Sequence, residues 1–249
     1  MINHYNIFMI FKIIALMLFH IAVFSQTNTL EKKILVYTHT NGYVHNEAIK
    51  QGVVLINEIG KNNGVKVVHS KTQKSFKSDQ LLNYDAIIFL CTTLDVLDDL
   101  QQEKFIEFIH AGKGFVGIHA AADTEYEWPW YGRLVGAYFA SHPKGTPKAT
   151  IHTTSNNSFF TEHLEGKWAI EDEWYNYNFR NLNIIPLLML DEKTYDGGVN
   201  GSNHPITWYH EFEGGRSFYT GLGHHGKTYK DERFQKLLEK GILYAINGL

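Results

Sequence analysis

The chain has 249 residues, 44% hydrophobic and 20% charged, with a formal net charge of −3 at pH 7. This is globular composition at a length that suits one large α/β domain, and the weakly acidic balance gives no footprint for nucleic acid or an anionic membrane. The single cysteine, Cys91, excludes an intrachain disulfide and a cysteine-based zinc site, so stability must come from the core.

The N-terminus reads as an export signal. Lys12 precedes an apolar core from Ile13 to Phe24, broken only by His20, and Val23-Phe24-Ser25 places a small residue at the cut. Residues 1–25 are therefore expected to be removed, leaving 26–249 as one domain in the periplasm or outside the cell. The rival reading is an uncleaved anchor, but Lys12 splits the apolar stretch from Ile7 to Phe24. After cleavage no membrane contact is expected.

Lys33 to Thr40 reads as a first strand, and Ile49, Val53, Ile56 and Ile59 mark a helix that Asn62-Asn63-Gly64 stops. Val65 to Ser70 alternates like a strand nearer an edge. Ala86 to Cys91 is a continuous apolar run, the pattern of a central parallel strand covered on both faces. Asp98, with Gln101 three residues on, is placed to cap a helix carrying Phe105, Phe108 and Ile109. After Gly112 comes a further buried strand, Phe115 to Ile118. The first half thus predicts a doubly wound, mainly parallel sheet with flanking helices.

The second half is less regular. Trp128 to Phe139 is expected as a helix, Ala149 to Thr154 and Ile184 to Leu190 as strands, and Glu213-Gly214-Gly215 as a hairpin turn between Ile206–Phe212 and Arg216–Leu222. Phe234, Leu237, Leu238, Gly241, Ile242 and Ala245 trace one face of a final helix, with Asp231 at its cap.

Carboxyl ends of parallel strands share one rim, where open α/β folds bind ligands. That rim should collect the loop His39 to His45, the turn His119 to Asp123, and Gly221-Leu-Gly-His-His225. An aromatic run from Glu125 through Trp128, Trp130 and Tyr131 to His142 joins them, with Asp172-Glu173-Trp174-Tyr175 and His204 as further candidates. The chain is 14% aromatic and has 14 histidines. Aromatic faces stack on sugar rings, while imidazoles and carboxylates bind hydroxyls and move protons near neutral pH. His119, Asp123, Glu173 and His224 are the candidate catalytic residues. His39, His45, Trp128, Trp130, Tyr131, His142, Trp174, Tyr175 and His204 are the candidate substrate-binding residues. The competing readings are a backbone-bonded core histidine at His119, core aromatics at Trp128 to Tyr131, and a solvated acidic face at Glu171 to Glu173. No HxxEH-type spacing is present, so no metal ligands are assigned and a divalent metal stays open as a cofactor.

Several motifs carry a resemblance. Gly114-Phe-Val-Gly-Ile-His-Ala-Ala-Ala-Asp123, Trp128-Pro-Trp-Tyr131, Leu134-Val-Gly-Ala-Tyr-Phe139, Asp172-Glu-Trp-Tyr175, His204-Pro-Ile206 and Tyr219-Thr-Gly-Leu-Gly-His224 occur in order. Together they resemble the ThuA-like, or trehalose utilisation, family from about Lys33 to the C-terminus. The resemblance implies a fold like class I glutamine amidotransferases, related to flavodoxin-like folds. It also implies a role in bacterial carbohydrate metabolism, on trehalose-type disaccharides or their 3-keto forms. That superfamily carries a nucleophilic cysteine in Gly-x-Cys-x-Gly; here the positions read Gly117-Ile-His119-Ala-Ala121, which excludes a thiolate glutaminase. A small-molecule carbohydrate is the expected partner, the alternative being a catalytically silent carbohydrate-binding module on the same fold. The oligomeric state is left open, a homo-oligomer included.

Overall fold

The structure is a computed structural model that describes residues 31–76, 79–154, 158–164 and 166–249. The export signal expected over 1–25 lies outside the described residues. Among these residues, strands β1 (Lys33–Tyr37), β2 (Lys66–Ser70), β3 (Ala86–Leu90) and β4 (Gly114–Ile118) alternate with helices α1 (Asn46–Asn62) and α2 (Asp99–His110). Then follow α3 (Pro129–Val135), β5 (Ala137–Ser141), β6 (Lys148–Thr153), α4 (Ser158–Thr161), β7 (Lys167–Glu171), β8 (Asn176–Phe179) and β9 (Ile185–Asp191). The hairpin β10 (Pro205–Phe212) and β11 (Gly215–Thr220) precedes the closing helix α5 (Glu232–Asn247).

The main sheet runs β2-β1-β3-β4-β11-β10-β9-β6-β7. Strands β2, β1, β3, β4 and β11 pair in parallel. From β10 outward every pairing is antiparallel, and β5 and β8 form a separate antiparallel pair. The β3–β4 register, Ala86 opposite Gly114 through Leu90 opposite Ile118, sets the two apolar runs side by side as expected.

Residue alternation explains how the helices cover this sheet. Phe89 and Phe115 point to the α2 face, where Phe105 stacks on Phe89 at 5.5 Å between ring centroids. Leu90 points to the opposite face, against which Gly52 of α1 packs. Gly114 lies under α5, where a Cβ would meet the Ala245 backbone. Both faces are therefore dry, and β3 and β4 are buried along their whole length. Each large apolar side chain buried this way contributes about 1.5–3 kcal/mol. The cap of α2 is a full capping box of Asp98 and Gln101, and Asp231 caps α5 by accepting from the Arg233 amide.

The structure corrects one element. The expected helix from Trp128 to Phe139 stops at Val135, because Gly136 turns into the left-handed region at φ 102°. Ala137 to Ser141 then leaves as β5 and pairs with β8. Strands β7 and β8, not anticipated from periodicity, flank the Asp172–Tyr175 segment and hold it in place.

Candidate active site at the carboxyl rim

Three parallel strands deliver histidines to one point. His45 closes the loop after β1 and stands at the start of α1, His119 follows β4, and His224 follows β11. The loop after β3 contributes support: Thr93 Oγ1 accepts from the Gly42 amide and donates to the Tyr43 carbonyl, steadying the segment before His45. From the antiparallel half, the β7–β8 link supplies Glu173.

His119 is fully buried and sits at φ 52°, in the left-handed region that a side chain with a Cβ occupies only under strain. It opens a single 3₁₀ turn, His119–Ala122, which makes a sharp elbow out of β4. Its Nδ1 lies 2.9 Å from the Gly221 carbonyl oxygen. A carbonyl only accepts, so Nδ1 carries the hydrogen and Nε2 faces the cluster. Gly221 is required there, since a Cβ would strike the Tyr177 hydroxyl.

Around His119 Nε2, Glu173 Oε2 stands at 3.4 Å and His224 Nδ1 at 3.3 Å; His224 Nδ1 and Glu173 Oε2 are 3.2 Å apart. The His45 ring meets His119 and His224 edge-on, with centroids 4.8 and 5.1 Å away. His45, His119, Glu173 and His224 each present one ligand-type atom, all within 4.8 Å of one another, so these are the residues that could hold a metal.

Electrostatics follow from that packing. Burial, reinforced by the neighbouring His119 and His224, lowers His45 to about 3, so it stays neutral. Burial alone would raise the Glu173 carboxyl, but the adjacent His119 and His224 imidazoles outweigh it and hold the group far below the usual range. Burial likewise opposes protonation of His224, and Glu173 overrides it and raises this imidazole. Asp123, at the end of the 3₁₀ turn, is raised by burial although Tyr126 donates to its Oδ1 at 2.6 Å.

A buried carboxylate organises the backbone beneath. Asp172 accepts from the amides of Glu173, Gly223 and His224 and from the Thr228 hydroxyl. The acidic face suggested by Glu171–Glu173 is thus absent: only Glu171 is exposed, paired with Lys227.

The structure brings together His45, His119, Glu173 and His224, with His142 Nδ1 3.5 Å from Glu173 Oε1 and Asp123 at the next turn. Tyr175 stacks obliquely on His119 at 4.6 Å, and Phe139 backs Tyr175. Other expected wall residues lie elsewhere. Trp128 and Trp130 stack on each other against Phe105, and Trp130 Nε1 donates to Glu213 in the β10–β11 turn at the opposite end of β11. Tyr131 is buried with its hydroxyl on the Ala121 carbonyl, and Trp174 is buried with Nε1 on Pro147. His204 is buried between Glu192 and the Tyr175 carbonyl, and so supports Tyr175. His39 packs beside Tyr37, outside the four-residue cluster. Phe139 and Tyr43, which packs on His45 at 4.7 Å, were not expected as wall residues; the His39–His45 loop that holds Tyr43 was the available signal.

Cys91 is fully buried, and burial pushes its thiol up to about 12, so it is inert. The elbow residue of this fold is an imidazole here. The sequence profile of the ThuA family, described as trehalose utilisation, matches residues 33–245. The chain belongs to the ThuA family. Among solved structures, a ThuA-like protein of Bacteroides uniformis superimposes with a TM-score of 0.75 at 20% identity, covering 89% of this chain and 94% of that one. A ThuA-like protein of Parabacteroides merdae gives 0.71 at 19% identity, covering 87% and 90%. The cold-adapted β-galactosidase of Rahnella sp. R3 shares the fold at a TM-score of 0.56 and 14% identity, over 85% of this chain but 31% of the enzyme. No curated protein matches the sequence. The ThuA fold is therefore secure. Among its described residues, no helix is long and apolar enough to cross a membrane.

Proposed function

We propose that this ThuA-family protein is an exported enzyme of carbohydrate metabolism that processes a disaccharide or its 3-keto form. The observation that carries the reading is the convergence of His119, Glu173 and His224, with Asp123 close by, next to the half-buried ring of Phe139 and the exposed ring of Tyr43. A ketone acidifies the C–H bonds beside it, so a keto-sugar calls for a base and an acid held at fixed positions. His119 Nε2 is the base, because its other nitrogen is committed to Gly221. Asp123, whose carboxyl burial favours the protonated form, is the acid. Half-buried Phe139 and exposed Tyr43, which packs on His45, supply the faces on which a sugar ring stacks, while buried Tyr175 backs His119. The export reading rests on Lys12, the apolar run Ile13–Phe24 and Ser25.

The test is turnover of a panel of disaccharides and their 3-keto derivatives, with binding followed separately by thermal shift. His119→Ala should lower turnover by about 10²–10⁴ with circular dichroism unchanged, the range for loss of an acid–base group. Saturable sugar binding with no wild-type turnover on any member of the panel would instead establish a binding module.

A further inference from the structure

We propose that His45, His119, Glu173 and His224 bind a divalent transition-metal ion of the zinc type. The inference rests on the sugar-processing reading of the same site and refines it: with the ion bound, the His119 Nε2 lone pair serves the metal, and proton abstraction passes to a group other than His119.

The first argument is proton counting. His119 Nε2 bears a lone pair, because Nδ1–H is given to Gly221. Glu173 Oε2 bears lone pairs as well. His224 Nδ1 is 3.3 Å from the first and 3.2 Å from the second, and the first two are 3.4 Å apart. With neutral imidazoles, at most one proton enters a triangle of three acceptors. At least one pair of lone pairs then faces at close range in a largely buried cluster. A cation at the centre satisfies all three at once.

The second argument is spacing. Ligands about 2.0–2.1 Å from a tetrahedral zinc-type ion stand about 3.3 Å from one another. The three measured separations fall on that edge. His45 closes the set from the buried side, within 4.8 Å of the other ligand atoms. It is buried, and among the described residues its Nδ1 finds no hydrogen-bond partner, an orphan that burial normally forbids.

The third argument is support. Metal-bound histidines usually give their second nitrogen to a carbonyl or carboxylate, which fixes ring orientation. His119 does so with Gly221. The His224 and Glu173 backbones are both tied to Asp172, so a single buried carboxylate sets the positions of two ligands. The strained φ of His119 is what aims Nε2 at this point. Solvent reaches the cluster at His224 and Glu173, whose side chains are 18% and 13% exposed, and not at His119. An ion held there can meet a water or a substrate oxygen on the open side. Three imidazoles with one carboxylate suit zinc and its neighbours and disfavour magnesium and calcium, which demand oxygen ligands.

The test uses the chain purified without a histidine tag, stripped with a chelator and dialysed against Zn²⁺ or Mg²⁺, with no sugar present. Elemental analysis should find about one Zn²⁺ per chain and no bound Mg²⁺, and Zn²⁺ should raise the melting temperature. Glu173→Gln and His224→Ala, both at the open side, should each weaken Zn²⁺ affinity by about 100-fold or more with circular dichroism unchanged. His152→Ala, an exposed histidine on β6, should leave affinity as it was. Absence of stoichiometric Zn²⁺, or undiminished Zn²⁺ in both folded site variants, overturns the proposal. Failure of sugar turnover in zinc-loaded protein would bear only on the sugar-processing reading.

Discussion

The two halves of the sheet do different work at the same rim. The parallel half, β2-β1-β3-β4-β11, sends His45, His119 and His224 there, because carboxyl ends of parallel strands must lie together. The antiparallel half sends one link, Asp172 to Tyr175, carrying the carboxylate and the buried ring that backs His119. Its strands alternate in direction, so nothing in their topology obliges a loop to reach the site. That link is held there by β7 and β8 at its ends, by Asp172, which anchors it to the loop after β11, and by the bonds of Trp174 to Pro147 and of His204 to Tyr175. The difference teaches that position comes cheaply from parallel topology and must be built by specific bonds elsewhere.

Removing the anchor is the strongest way to break that arrangement. Asp172 is fully buried and accepts four hydrogen bonds, three from backbone amides. Asp172→Ala strands those donors in a dry interior, where satisfied bonds to a charged acceptor are worth about 1.5–3 kcal/mol each and unpartnered groups cost similar amounts. A loss of about 3–5 kcal/mol is expected after partial relaxation, comparable to breaking a buried charge pair. It should appear as a lower urea midpoint at unchanged slope. A shift within about 0.5 kcal/mol, the range of ordinary surface substitutions, would show that the two loops stand without the anchor.

The same contrast explains what the sequence disclosed. Continuous apolar runs at Ala86–Leu90 and Gly114–Ile118 announce strands covered on both faces, and they lie adjacent and parallel as expected. Asp98 with Gln101, and Asp231, are caps that can be read from residue type and spacing alone. His119, His224 and His45 were legible as rim residues because each follows a strand of the parallel half. Their joint role as a ligand set was not, since the four members are spread from residue 45 to residue 224 with no local spacing to betray them. The antiparallel half was read least well. Gly136 cuts α3 short through a positive φ that hydrophobic periodicity does not encode, and β5 is defined only by its distant partner β8. Trp128, Trp130 and Trp174 were assigned to a wall by type, yet their ring nitrogens go to Glu213 and Pro147 in two of the three, and the stack of Trp128 on Trp130 packs on Phe105.

A second effect, of intermediate size, separates the halves by pH. His210 lies buried on β10, and burial lowers it to about 4 although the Arg133 and Leu134 carbonyls work the other way. The unfolded chain binds this proton below about pH 6.5, the folded chain only below about 4. Stability is therefore intact above pH 6.5, falls as pH drops through the window from 6.5 to 4, and changes no further below it. At pH 5 the loss from this one group is about 2 kcal/mol. Denaturant titrations of wild type and His210→Gln at pH 7 and pH 5 isolate it. Wild type should lose about 2 kcal/mol more than the variant between the two pH values. Equal losses would mean that His210 takes up its proton in the fold as readily as out of it.

The smallest effect sharpens the comparison from the parallel side. Strand β3 is central and parallel, yet its carboxyl loop gives no member of the cluster. What it gives is a helix start. Asp98 accepts from the Gln101 amide at 2.9 Å, and the Gln101 side chain accepts from the Asp98 amide at 2.9 Å. The preceding segment is held independently, with the Val96 and Leu97 amides both donating to Glu125 Oε1. Losing an N-cap of this kind costs about 1 kcal/mol. Asp98→Ala should lower unfolding free energy by that amount, read as a lower urea midpoint at unchanged slope, while Thr93 continues to steady Gly42 and Tyr43 beside His45. Turnover per folded molecule and Zn²⁺ affinity should then match wild type. If either fell with Asp98→Ala, the loop after β3 would have to be counted as part of the site and not merely as its support. The division of labour on the parallel side of the rim, three loops for ligands and one for capping, would then be lost.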